Sequence, residues 1–142
     1  MLVIIIGLPA SGKTTYYNNN ELLKTNYNFH DDFIGNFIDG ELIDDIKTGK
    51  NVCVADPRLC DYEIFKKVMK VFEEYINKND IRLILFKNDK NACLLNANKK
   101  VEDMIIEYSK IYNLNNYKNY NYEIIDVYIY NCGYLGINTN SS

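Results

Sequence analysis

The feature that most constrains this chain is a glycine-rich segment, residues 7–14, that follows directly after a short apolar run, Leu2–Ile6. A continuous β-branched run of this length is typical of a parallel strand covered by helices on both faces. It is far shorter than the roughly 20 apolar residues of a membrane-spanning helix, so no membrane association is expected. The first predicted element is therefore the central strand of an α/β domain.

The glycine-rich segment matches the pattern Gly-x-x-x-x-Gly-Lys-Ser/Thr at every defined position. With the threonine that follows, it consists of Gly7, Leu8, Pro9, Ala10, Ser11, Gly12, Lys13, Thr14 and Thr15. In this pattern, successive backbone N–H groups and the start of the next helix face phosphate oxygens. We expect Lys13 to reach the β- and γ-phosphates of a nucleoside triphosphate and the Thr14 hydroxyl to bind Mg²⁺. The alternative is an ordinary glycine-rich turn.

Composition limits the remaining possibilities. With 142 residues, 47% of them apolar and 25% charged, the chain has the size and balance of one soluble domain, assigned here to residues 1–132. A net charge of −3 argues against a protein that coats nucleic acid. Four cysteines without a Cys-x-x-Cys pair argue against a zinc knuckle and favour reduced thiols in the cytoplasm.

Hydrophobic periodicity predicts strands that alternate with helices, which is typical of a parallel sheet with its ligand site at the carboxyl ends of the strands. The strands are expected at residues 2–6, 27–30, 52–55, 81–86 and 123–130. Helices are expected at 13–24, 33–46 (weak, with a possible break), 61–78 (capped by Asp61), 89–100 and 101–111, followed by a loose tail at 133–142.

Acidic residues follow the second and third predicted strands. Asp56 ends the third strand, where a carboxylate can hold a water molecule of the Mg²⁺ shell, although an aspartate before proline is also common in turns. Asp31 and Asp32 end the second strand, and either could accept the proton of an attacking hydroxyl; Asp31 is preferred, and a solvated pair is the alternative. His30, one residue earlier, is interpreted as a half-buried strand residue.

Basic residues beyond the third and fourth strands are candidates for contacts with anions. Lys99 and Lys100 follow the polar helix, where a mobile lid would bring positive charge onto the transferring phosphoryl group, although a solvated lysine pair is equally plausible. Lys87 and Lys90 share this ambiguity. Arg58 lies just beyond Asp56, close enough to the expected cleft to hold an anionic substrate group by a forked contact.

Together, the loop at 7–15, His30-Asp31-Asp32 and Ala55-Asp56-Pro57 resemble the polynucleotide-kinase-like branch of P-loop kinases, and residues 88–100 are similar to its lid. The resemblance covers residues 1–130 and implies a three-layer α/β/α fold with strand order 2-3-1-4-5. It also implies ATP as co-substrate, Asp31 as base and Lys99 or Lys100 as the lid charge. The family usually has arginine where this chain has Ile34, and arginine in the lid where this chain has lysine.

Two functions from different classes remain open. The first is a kinase that moves the γ-phosphate of ATP to a hydroxyl of a nucleic-acid 5′ end or of a small metabolite. The second is an NTPase or nucleotide-binding switch without an acceptor, and a non-catalytic phosphate-binding module is a third, weaker possibility. The sequence lacks the base-reading Asn-Lys-x-Asp of GTPase switches; its nearest segment is residues 87–90.

Overall fold

The computed structural model describes residues 1–36 and 40–129, which contain a five-stranded, all-parallel sheet flanked by helices in a three-layer α/β/α arrangement. The strand order is β2-β3-β1-β4-β5, which confirms the predicted fold class. The strands are β1 (Leu2–Ile6), β2 (Asn28–Asp31), β3 (Val52–Ala55), β4 (Ile81–Phe86) and β5 (Asn121–Ile125).

The central strands form the core because their side chains are apolar on both faces. All residues of β1 and β3 are buried, and β4 exposes only Arg82. In contrast, both ends of the edge strand β2 are exposed. Parallel pairing aligns Ile5 with Ala55 and with Ile84, so β1, β3 and β4 end close together at one edge of the sheet. We call this edge, where the strands finish, the carboxyl edge.

Six α-helices are described in this part of the chain. They are α1 (Lys13–Asn19), α2 (Glu21–Asn26), α3 (Glu41–Lys47), α4 (Tyr62–Phe72), α5 (Lys90–Asn96) and α6 (Lys99–Ile111). Short 3₁₀ turns occupy Phe33–Asn36, Pro57–Cys60, Lys78–Asp80 and Leu114–Tyr117. Asp61 caps α4 by accepting a hydrogen bond from the Glu63 N–H, as predicted.

Several helix boundaries differ from the predicted ones because side chains cap the backbone at interior positions. The predicted helix at 13–24 is two helices, since the Asn20 side chain accepts from the Leu23 N–H and starts α2. The Asn98 side chain likewise starts α6, so Lys99 and Lys100 begin that helix instead of ending the polar one. The helix at 61–78 ends at Phe72, and the weak one at 33–46 is divided as suspected.

Two strand boundaries also differ. β2 starts and ends one residue later than predicted, and β5 occupies Asn121–Ile125 instead of 123–130. The predicted tail at 133–142 lies outside the described residues. Over residues 1–36 and 40–129, no helix combines the length and hydropathy that a membrane crossing requires.

Candidate phosphate-binding site

The glycine-rich loop lies at the carboxyl edge, between β1 and α1, and it is buried from Gly7 to Lys13. Its backbone folds back on itself: the Ser11 N–H donates to the Leu8 carbonyl at 3.2 Å. Ala10 and Gly12 adopt left-handed conformations, with φ of 64° and 104°. Left-handed residues in a short loop turn backbone N–H groups toward a common concave side, which is the geometry of anion-binding nests.

Gly7 is required by close packing at the start of this loop. A Cβ atom built on Gly7 would lie 2.6 Å from the Ser11 Oγ and 2.9 Å from the Phe86 Cβ. Both distances are shorter than side chains tolerate, and the Phe86 Cβ cannot move without its backbone. The first glycine of the pattern therefore brings the loop against the end of β4.

The Lys13 side chain curls back under the loop. Its Nζ donates to the carbonyl oxygens of Gly7 at 3.0 Å and Leu8 at 2.9 Å, and it makes a longer contact of 3.5 Å with the Ser11 Oγ. The residue is 4% exposed, and this burial lowers the pKa of the ammonium against the opposing charges of nearby groups that include Asp31 and Asp56. A buried ammonium that lacks a carboxylate partner is suited to a polyanionic ligand.

The backbone around Lys13 also offers hydrogen-bond donors. Within the described residues, no carbonyl or side chain accepts from the N–H groups of Gly12, Lys13 or Thr14. Gly12 and Lys13 are buried, and a buried N–H without an acceptor is costly. Phosphate oxygens at this position would satisfy these donors.

Asp31 lies at the end of β2 and is electrostatically coupled to Lys13, Asp32 and Asp56, so the structure brings these four groups to the same edge. Desolvation raises the pKa of the Asp31 carboxyl above its ordinary value, and the negative charge of Asp32 adds to the effect. Asp32 has a left-handed backbone with φ of 48°, and its N–H donates to both the Asp31 Oδ1 and the Ala55 carbonyl. A carboxylate with a raised pKa is a better proton acceptor.

Asp56 is fully buried and its acceptor capacity is used within the protein. Oδ1 accepts from the Arg58 backbone N–H and Nε, both at 2.9 Å, while Oδ2 accepts from the Arg58 Nη2 at 2.7 Å and the Ile34 N–H at 3.2 Å. A carboxylate has about four acceptor positions, so these four bonds leave none for a metal ion or its water. This geometry favours the alternative interpretation, in which Asp56 is a structural aspartate before Pro57.

The hydrogen bonds to Asp56 also orient the Arg58 side chain. Hydrogen bonding to Asp56 raises the pKa of the Arg58 guanidinium, and this group is also near Asp32 and Tyr108. Its side chain remains 37% exposed. A contact of Arg58 with substrate therefore remains a prediction, on a side chain already oriented by Asp56.

Lys99 and Lys100 are exposed, and among the described residues no hydrogen bond or ion pair joins them to the phosphate loop. Of their neighbours, Lys87 is paired with Asp126 at 2.7 Å.

Across the described residues, no three His, Cys, Asp or Glu side chains form a metal-binding group. Mg²⁺ usually has one or two protein ligands beside substrate phosphates, so the half-buried Thr14 suits it better than the saturated Asp56.

His30 is half-buried, as predicted, and its ring contacts a side chain of α3. Its Nε2 lies 3.2 Å from the Asp45 Oδ2, an atom that also accepts from the Asn28 Nδ2 at 3.2 Å. Burial raises the pKa of Asp45, but these two hydrogen bonds and the charge of Lys50 outweigh it and lower the pKa overall. His30 therefore fastens β2 to α3.

Two residues that hold the loop carry no sequence signal that would reveal them. The Asn96 Nδ2 donates to the Ala10 carbonyl at 3.1 Å and to the Tyr128 carbonyl. The Tyr112 hydroxyl donates to the Phe86 carbonyl at 2.6 Å and lies 3.4 Å from the Ile6 carbonyl. Asparagine occurs throughout this chain, and Tyr112 follows the last apolar position of a helix, so neither residue stands out.

Comparison with known proteins provides one relative. No family model matches the chain, and no solved structure matches it. Over 134 residues the chain is 38% identical to a protein of Acanthamoeba polyphaga mimivirus named "Uncharacterized protein R277", and the match covers 89% of this chain and 96% of that protein. The name assigns no activity to the relative, so function has to be argued from the site.

Proposed function

The chain belongs to the same family as this mimivirus protein, and we propose that it is an ATP- and Mg²⁺-dependent kinase. It transfers the γ-phosphate to a hydroxyl of a nucleic-acid 5′ end or of a small metabolite. We assign it to the cytoplasm, which agrees with the free thiols of Cys53, Cys60 and Cys93. It is related, by its phosphate loop, to the polynucleotide-kinase-like branch of P-loop kinases.

The observation that supports the proposal most is the set of donors around Lys13. Three consecutive backbone N–H groups, at Gly12, Lys13 and Thr14, have no acceptor within the described residues, and they lie beside a buried ammonium. Together these groups match a chain of phosphates, whose oxygens accept hydrogen bonds and whose charge offsets the desolvation of Lys13.

Each residue then has a separate task. The loop N–H groups and Lys13 bind the triphosphate, and Lys13 faces the charge that develops on the transferred group. Asp31 accepts the proton of the acceptor hydroxyl, for which its raised pKa suits it. Thr14, together with the phosphates, would hold Mg²⁺, which would supply charge neutralisation. Lys99 and Lys100 would have to approach from α6 by movement of the lid.

The test is to incubate the purified chain with γ-labelled ATP, Mg²⁺ and a panel of 5′-hydroxyl oligonucleotides, nucleosides and sugars. Transfer of label to an acceptor supports the kinase, whereas label that appears only as free phosphate would establish the NTPase alternative. Asp31→Asn should abolish transfer and preserve ATP binding, with Asp103→Asn, an exposed aspartate on α6, as the matched control.

Lys13→Ala provides the complementary measurement. Removal of a charged donor to bound phosphates should weaken triphosphate binding by at least about tenfold. Isothermal calorimetry with ATP and Mg²⁺ measures the change, and Lys67→Ala, at an exposed position of α4, is the control. Equal affinity of Lys13→Ala and the parent chain would reject the phosphate site.

A further inference from the structure

The last residue of α5 joins two segments that are distant in sequence. The two Nδ2 hydrogens of Asn96 are donated to two carbonyl oxygens, one on Ala10 in the phosphate loop and one on Tyr128 beyond β5. The Tyr128 N–H in turn donates to the Ser11 carbonyl at 3.1 Å. The phosphate loop, the segment after β5 and the predicted lid (residues 88–100) therefore meet in one hydrogen-bonded junction around the Asn96 amide.

This junction holds Ala10, a loop residue whose backbone conformation is intrinsically unfavourable. Ala10 has φ of 64°, in the left-handed region that residues other than glycine adopt only at a cost in free energy. Such a conformation persists only where surrounding contacts over-determine it. Asn96 holds the Ala10 carbonyl and Tyr128 holds the Ser11 carbonyl. The Ala10–Ser11 peptide and the Ser11–Gly12 peptide, which carries the Gly12 N–H, are therefore both held from outside the loop.

We propose that Asn96 is a positioning residue for triphosphate binding: its amide holds the left-handed Ala10 peptide and thereby keeps the Gly12, Lys13 and Thr14 N–H groups directed at the phosphates. The inference rests on the proposed function, because it assumes that the loop binds a triphosphate. The contact of Asn96 with Ala10 also connects the loop to the lid. Lys99 follows Asn96 by only three residues, a span of at most about 11 Å, so the lid lysines start from an anchor on the loop itself.

Asn96→Asp separates this role from the packing of the side chain. Aspartate has nearly the same shape, but a carboxylate lacks N–H donors and would face two carbonyl oxygens. We expect the affinity for ATP with Mg²⁺, and for tripolyphosphate with Mg²⁺, to fall by about ten- to a hundredfold. Tripolyphosphate is included because it contacts only the phosphate loop, so a loss for both probes places the defect there.

Two control variants exclude a general loss of structure. Asn91→Asp makes the same chemical change on the exposed side of α5. Val68→Ala destabilises the core from α4 without touching the loop. Affinities are measured by calorimetry at a temperature at which circular dichroism finds every variant folded. A purely structural role would lower the denaturation midpoint of Asn96→Asp, as in Val68→Ala, and leave both affinities unchanged.

The possible outcomes separate the positioning role of Asn96 from the proposed kinase function. Weaker binding by Asn96→Asp, with both controls equal to the parent chain, supports the positioning role. If the parent chain binds ATP and Asn96→Asp binds it equally well, the positioning role is rejected while the kinase proposal stands. If the parent chain binds neither probe, both proposals are overturned together.

Discussion

The guanidinium of Arg58 donates two parallel hydrogen bonds to the buried carboxylate of Asp56, from Nε to Oδ1 at 2.9 Å and from Nη2 to Oδ2 at 2.7 Å. Forked pairs of this kind are among the strongest charge-assisted contacts in proteins. This pair joins the end of β3 to the 3₁₀ turn after it, and Asp56 also binds the Ile34 N–H. Asp56 therefore connects the end of β3 with the two 3₁₀ turns at Phe33–Asn36 and Pro57–Cys60.

Arg58→Ala should destabilise the fold, because it leaves the Asp56 carboxylate buried with half of its hydrogen bonds. Removing one partner of a buried pair costs about 3–5 kcal/mol, and the 37% exposure of Arg58 places the expected loss in free energy of unfolding at about 2–3 kcal/mol. Urea unfolding at neutral pH measures it. Arg82→Ala, which breaks the exposed pair with Glu123, is the control and should cost less than about 1 kcal/mol. Equal losses for the two variants would contradict this account of Asp56.

Gly7→Ala should disrupt the phosphate loop, because its methyl group would lie 2.6 Å from the Ser11 Oγ and 2.9 Å from the Phe86 Cβ. Overpacking of this kind costs about 1–3 kcal/mol, and moving Ser11 displaces the N–H groups that follow it. We expect lower stability together with weaker triphosphate binding, measured by urea unfolding and calorimetry.

Gly35→Ala is the matched control for Gly7→Ala, since among the described residues its methyl group would meet only the Arg58 Nη2, at 3.8 Å. Adding Phe86→Ala to Gly7→Ala should not restore binding, because alanine keeps the Cβ atom that clashes. Full recovery in this double variant would show that the phenyl ring, and not the close approach of the two backbones, is the obstacle.

The pH profile of phosphoryl transfer should report the environment of Asp31. A general base acts in its ionised form, so kcat/KM should rise with pH through an apparent pKa above the ordinary value of 3.8, since desolvation raises the pKa of this carboxyl. Asp31→Asn should show no transfer at any pH in this range, whereas Asp103→Asn should keep the acid limb. An acid limb at or below 3.8 in the parent chain would argue against Asp31 as the base.

Asp45 should contribute to stability in a defined pH range. Hydrogen bonds from His30 and Asn28 lower the pKa of Asp45 in the folded chain despite its burial, so its contribution is complete well above 3.8 and is lost as the pH falls through the lowered folded value. Asp45→Asn should therefore be less stable than the parent chain near neutral pH, and the two should converge once the pH has fallen below the lowered pKa of Asp45. Chemical denaturation across this range measures the difference.

Asp44→Asn, on the same helix but exposed, is the reference for this comparison. A difference between Asp45→Asn and the parent chain that persists unchanged at the acid end would mean that packing, and not ionisation, explains the effect of Asp45.

The sheet and the phosphate loop were predictable from local patterns. β1, β3 and β4 occupy the predicted residues because their apolar runs are buried on both faces, and such runs are unambiguous when turns bound them. The break at Asn20 was not predicted and the break at Asn98 was predicted two residues later in the chain, because asparagine is frequent in this chain and only the folded backbone shows which ones cap a helix.

Contacts within the site were the least predictable. The pairing of Arg58 with Asp56 joins residues only two positions apart, yet the sequence equally allowed an Arg58 that reaches outward to substrate. Asn96 reaches Ala10 across 86 positions of the chain, and no local pattern indicates such a contact. Tertiary structure alone decides which polar side chains become anchors and which face solvent.

The two non-glycine residues with left-handed backbones among those described, Ala10 and Asp32, both lie just beyond strands that end at the carboxyl edge. At the opposite edge, where the strands begin, a left-handed backbone is found at Gly49, ahead of β3, and glycine adopts that conformation without strain. Tolerance of substitution should therefore follow backbone shape: a side chain placed at Gly49, or a change beside Ala10 or Asp32, must preserve a conformation that most amino acids resist.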